Sequence, residues 1–90
     1  MRLDISDGAR DDLARIYVFN FERSEPWADQ VQARLEERCQ ALTHTPLIGR
    51  PLPDSGHRRL SVTDIQYVID YRVTDTVVEI LRFQHTREIR

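Results

Sequence analysis

The sequence contains no lysine: all 13 of its basic residues are arginine. Arginine forks suit phosphate, carboxylate and stacked contacts, for which lysine is a poorer match. The bias runs through every segment, so it reads as a trait of a GC-rich coding sequence rather than as the mark of a site. Cysteine is almost absent. Cys39 is the single one, which excludes an internal disulfide and a cysteine-built zinc cluster. That usage fits a reducing cytosol. No apolar run approaches the roughly 18–20 residues that a helix needs to cross a bilayer. The opening "MRLDISDGARDDL" lacks the apolar stretch of a secretory leader. The expectation is therefore a cytoplasmic protein with no membrane partner. Glycine is scarce, at three residues, and no glycine-rich phosphate loop is present. Neither a repeat nor a low-complexity tract interrupts the chain.

What is present describes one small domain over residues 1–90. About two-fifths of the residues are apolar and about a third are charged, as in an ordinary globule. The net charge of −2 does not mark the whole chain as nucleic-acid binding. Residues 1–49 hold six arginines against nine acids, and residues 50–90 hold seven against six. The C-terminal half is mildly basic.

The pattern of elements follows from spacing. Residues 2–5, "RLDI", alternate polar and apolar as a short strand does. Ser6 then offers a helix N-cap, with Asp7, Asp11 and Asp12 near the positive end of the dipole. Ala9, Leu13, Ile16 and Tyr17 recur at helical spacing, and the helix is expected to end near Arg23. Ser24 caps a second helix, with Pro26 in its first turn, where a missing N–H costs little. Ala28, Val31, Leu35, Cys39 and Leu42 form its apolar stripe, and it should end near His44, before Pro46. "TPLIGRPLPDSG" reads as a loop. Three strands follow: "HRRLSV", "IQYVIDYRV" and "TVVEILRFQH". In the second, Tyr67, Ile69, Tyr71 and Val73 share one face, and Gln66, Val68, Asp70 and Arg72 share the other. A tight turn at Thr74–Thr76 would set Arg72 opposite Glu79. The fold expected is α+β, in the order β-α-α-β-β-β, with a helical hairpin packed on a mostly antiparallel sheet.

The chemistry centres on arginine and histidine. Cys39 sits at an apolar helix position and reads as a core residue. His44, His57 and His85 are too isolated to form a metal site. No metal and no cofactor is expected. Arg58 and Arg59 fall on opposite faces of one strand. Arg82 lies inside the last strand, where a buried guanidinium needs a partner such as Asp70, Glu79 or an external anion. By the period of two, His85 shares a face with Leu81 and Phe83. His85 and Arg87 stand at the strand's end, where exposed groups commonly carry function. An arginine cluster with one histidine could cleave RNA, or it could be a docking patch.

Taken in order, "ARDDLARIYVF", "PLIGRPLP", "RRLSV…YVIDYRV" and "VVEILRFQHTRE" resemble the RelE/ParE superfamily of bacterial type II toxins. The resemblance covers nearly the whole chain. It implies a cytosolic toxin neutralised by a cognate antitoxin that wraps it. RelE-type members cut mRNA in the ribosome, whereas ParE-type members inhibit DNA gyrase. The RelE pattern has an arginine three residues before the tyrosine that Tyr71 matches. Here that position is Val68, and no tyrosine follows Arg87. "ILRFQHTRE" is similar to the ending of ParE-type chains. The resemblance therefore favours a gyrase-directed binding toxin with no firm catalytic residue. The alternative is a RelE-like ribosome-dependent nuclease using Arg59, Arg82, His85 and Arg87. Candidates for antitoxin binding are Trp27, Arg82, His85 and Arg87, and the antitoxin should be acidic where it meets them. Trp27 could equally close the hairpin turn.

Overall fold

The structure is a computed structural model that describes residues 1–89; Arg90 lies outside the described residues. Strand β1 spans Arg2–Ile5. Helix α1 spans Asp7–Phe21, and the Ser6 hydroxyl accepts from the Ala9 N–H at 3.1 Å to cap it. Helix α2 spans Glu25–Leu42, capped in the same way by Ser24 on the Trp27 N–H. Both helices stop two residues before the expected ends. Their last residues form capping turns: the amides of Arg23 and Ser24 reach back to Asn20, and those of His44 and Thr45 to Ala41. The α2 stripe is buried as its spacing requires, from Ala28 through Val31, Leu35 and Cys39 to Leu42.

The proline-rich segment is more than a loop. It contains a two-residue strand, β2, at Arg50–Pro51. Its register sets Arg50 opposite Arg59. So short a strand has no alternation to read, and only its tertiary pairing defines it. Strand β3 is Arg58–Val62, β4 is Tyr67–Val73 and β5 is Val77–His85, followed by one 3-10 turn at Thr86–Glu88. Ile65 and Gln66 belong to the β3–β4 turn rather than to β4, and Gln66 takes a left-handed φ of 62°. The sheet order is β1-β5-β4-β3-β2. β1 runs parallel to β5, and the other neighbours are antiparallel.

One face of the sheet carries both helices and the core. Tyr67, Ile69 and Tyr71 of β4 point into it, as the alternation predicts. The last strand departs from a simple period of two. Val78 and Ile80 are buried, and so is Phe83. The phase changes because Tyr71 pairs with Ile80 while Asp70 pairs with Arg82. Leu81 is thus the extra residue of a β-bulge, and it does not share the core face of Phe83. Leu35, Tyr71 and Phe83 are fully enclosed, each contributing on the order of 2 kcal/mol of transfer free energy.

β1 stops at Ile5, and its ladder with β5 closes with the Ser6 N–H on the Ile80 carbonyl. Beyond that point side chains satisfy the β5 edge. Ser6 Oγ donates to the Leu81 carbonyl, Asp12 Oδ2 accepts from the Phe83 N–H at 2.9 Å, and Glu88 Oε1 accepts from the His85 N–H at 2.9 Å. α1 is thereby stitched to the strand it covers. Among the described residues, no helix is long and apolar enough to cross a membrane.

Candidate functional site

A groove of about 560 Å³ opens between the C-terminal half of α1, the start of α2, the β3–β4 turn and the end of β5. Its volume falls in the range typical of binding clefts. Asn20 organises its floor. This buried amide donates to the Ile16 carbonyl at 2.8 Å and to the Tyr67 hydroxyl at 3.1 Å, and it accepts from Trp27 Nε1 at 3.0 Å. Two donors and one acceptor are thereby used, and the amide ties both helices to the sheet. Trp27 closes the helical hairpin through this bond and also lines the groove.

His85 stands over Tyr67 edge to face, with ring centroids 5.0 Å apart. Its Nδ1 accepts from the Arg87 N–H at 3.1 Å, and Glu88 accepts from the His85 N–H in return. This reciprocal cap leaves the proton of the neutral ring on Nε2. The rim carries charge. Arg15 pairs with Asp12 at 3.3 Å and lies 4.0 Å from Glu88. Asp64 is held at 2.8 Å by Arg34, whose hydrogen bond pulls the carboxyl below its usual range. Arg23 lies over the Phe19 ring, 4.8 Å from its centroid. Neither Arg23 nor Arg87 makes an ion pair among the described residues.

The candidate residues divide between the two faces of the sheet. Trp27, His85 and Arg87 come together in the groove. Arg59 and Arg82 lie on the outer face, which carries no helix among the described residues. There the register aligns Arg50, Arg59, Asp70 and Arg82 across four strands. Arg59 grips Asp70 with two bonds, Nε to Oδ1 at 2.6 Å and a second to Oδ2 at 2.9 Å. That hydrogen bonding raises the Arg59 pKa further. Arg82 is exposed, contrary to its expected burial. The bulge ends the core phase just before it, so its guanidinium meets solvent and needs no internal partner. Asp70 serves Arg59, and Glu79 serves Arg72 in the cross-strand pair that the turn spacing anticipated. Val68 occupies the outer face between Ser61 and Gln84.

Arg58 turns the other way and donates to the carbonyls of Gly49 and Leu47. It works with Tyr71, whose hydroxyl accepts from the Gly49 N–H at 2.9 Å and donates to the Pro46 carbonyl at 2.7 Å. Cys39 is buried in α2, and burial pushes its thiol up to about 12. At neutral pH it is not the thiolate that nucleophilic chemistry needs. No cluster of metal-ligating side chains occurs among the described residues.

Arg15, Phe19, Asn20, Arg23 and Tyr67 also build the groove; Tyr67 was expected only as part of a strand face and Arg23 only as a helix end, and none of the five was expected at a site. A signal was present in "YVFNF". Its apolar residues outnumber what one buried helix face accommodates, so Val18, Phe19 and Phe21 remain about half exposed. The joining of these residues to His85 depends on the chain path and could not be read locally.

The fold has close counterparts. A chain from a chromosomal ParDE toxin–antitoxin system of P. aeruginosa superposes with a TM-score of 0.83 at 25% identity, covering 94% of this chain and 95% of that one. A chain of the RelBE2 toxin–antitoxin complex from Mycobacterium tuberculosis gives a TM-score of 0.74 at 26% identity, covering 93% and 95%. The Sinorhizobium fredii protein Y4kP is 37% identical over 68 residues, which is 74% of this chain and 70% of that protein. The profile of the ParE toxin of the type II toxin–antitoxin system parDE matches residues 3–90. With that match spanning both helices and every strand around the groove, the chain belongs to the ParE toxin family of type II toxin–antitoxin systems.

Proposed function

We propose that this toxin acts in the cytoplasm by inhibiting DNA gyrase, and that a cognate antitoxin neutralises it by covering Trp27, His85 and Arg87, with Arg82 engaged from the outer face. The observation that carries the binding reading is the division of the basic residues. A nuclease of the alternative type needs Arg59, Arg82, His85 and Arg87 around one phosphate, because proton transfer and charge stabilisation act over hydrogen-bond distances. Here the sheet lies between the two pairs, and Arg59 is already committed to Asp70. Val68 stands beside that pair on the outer face, where the nuclease pattern has arginine. A toxin that works by binding needs no such convergence.

Purified toxin added to gyrase and relaxed plasmid should block supercoiling, and brief expression should induce filamentation and an SOS response. mRNA cleaved in the ribosomal A site, with supercoiling intact, would overturn the gyrase reading and favour the nuclease.

A further inference from the structure

Helix α1 has a second apolar stripe, which the fold leaves uncovered. Ala9 and Ile16 are buried against the core, whereas Ala14, Arg15, Val18, Phe19 and Glu22 line a shallow depression on the solvent side. All five are exposed, Val18 at 58% and Phe19 at 51%. Apolar side chains grouped in water in this way mark a surface that another body covers. The charges beside them are symmetric about the stripe. Arg15 stands three residues before Val18, and Glu22 stands three residues after Phe19. At helical spacing both fall on the same flank of Val18. Glu22 makes no ion pair among the described residues. Arg15 reaches Asp12 with one nitrogen at 3.3 Å, and its guanidinium fork has donors to spare.

We propose that this face of α1 pairs with the same face of a second copy of the chain, with the two helices antiparallel about a two-fold axis at the Val18–Phe19 step. Such a contact is isologous: where residue i of one copy meets residue j of the other, j also meets i. The axis carries position 15 of one copy to the level and flank of position 22 of the other. Arg15 of each copy then faces Glu22 of the other, and two ion pairs close around a centre of Val18 and Phe19. Antiparallel helices also oppose their dipoles. The apolar centre supplies the drive, because exposed ion pairs contribute little by themselves. The charges fix register and direction. A nucleic acid or an anionic lipid fits less well, since its phosphates would meet Glu22 and, one heptad before Val18, Asp11. Phe19 also lines the groove, so a second copy seated here covers part of one groove wall.

Sedimentation equilibrium of the full chain over a range of loading concentrations reads this contact directly. The expected result is a monomer–dimer equilibrium. By symmetry Arg15→Glu and Glu22→Arg each alter both pairs, and each should weaken the dimer roughly tenfold or more. Val18→Glu should do the same by charging the centre. An equal mixture of the Arg15→Glu and Glu22→Arg proteins should recover the dimer, because every contact between the two is again Arg against Glu. The double variant should recover it alone. The outer-face variant Arg82→Glu should dimerise as the parent does. Circular dichroism verifies that each variant is folded. A dimer that tolerates both reversals, or a mixture no more associated than its components, would overturn the proposal. So would a chain that stays monomeric at every concentration, whether or not it floats with vesicles of anionic phospholipid.

Discussion

Tyr71 and Gly49 meet so closely that Gly49 has no room for a side chain. A Cβ built on Gly49 would lie 2.6 Å from the Tyr71 hydroxyl and 3.0 Å from the Arg59 carbonyl. Tyr71 is fully enclosed and bonded to the Pro46 carbonyl, so it has no room to yield. Gly49→Ala should therefore lower stability by about 1–3 kcal/mol through overpacking. Urea titration should report this as a lower midpoint with an unchanged slope. Gly8→Ala is the matched control. Nothing lies within 4 Å of its Cβ, and in the first turn of α1 alanine should leave the midpoint equal or higher. A glycine in a proline-rich stretch signals a loop by composition. The requirement at Gly49 comes instead from a tyrosine 22 residues away, so no local pattern could disclose it.

At the scale of elements, the ion pair between β3 and β4 stands out. Arg59 and Asp70 have side chains only 14% and 12% exposed. Removing one partner leaves the other desolvated and alone, which costs about 3 kcal/mol for pairs of this kind. Asp70→Asn should thus destabilise strongly, and replacing both residues with apolar ones of similar size should recover most of the loss. A double-mutant cycle from thermal unfolding tests this, and additive losses would contradict it. Elements with long periodic stripes were legible in the sequence. α2 kept its stripe and β4 its two faces because burial on one side enforces the spacing. Features set by pairing were not legible. β2 is two residues long, and the Leu81 bulge inverts the phase of β5, which is why Arg82 emerges into solvent when strand continuity suggested burial. The candidate site was half legible for the same reason. His85 and Arg87 are near neighbours in the chain, whereas Arg15, Phe19 and Arg23 reach them only through the docking of α1 on the sheet.

The whole molecule divides its work between two faces of one sheet. Helices and core occupy one side with the groove at their end, and the arginine row occupies the other. The division explains why a tally of C-terminal basic residues could suggest a single cluster. In a domain this small the stability margin is thin. An antitoxin that binds only the folded toxin adds about 2.7 kcal/mol when its concentration is 100-fold above Kd.

The stitching of β5 has a bearing on solubility. A strand edge with free amides invites pairing with a second chain. Past Ile80 this edge has no strand beside it among the described residues, yet Ser6, Asp12 and Glu88 occupy its polar groups. Asp12→Ala should leave the Phe83 amide unsatisfied, at a cost of about 1–3 kcal/mol. It should also shift the chain toward concentration-dependent oligomers on size exclusion, relative to the parent protein. On that outcome the Asp12 carboxylate on α1, together with Ser6 and Glu88, would guard the end of β5 against edge-to-edge pairing.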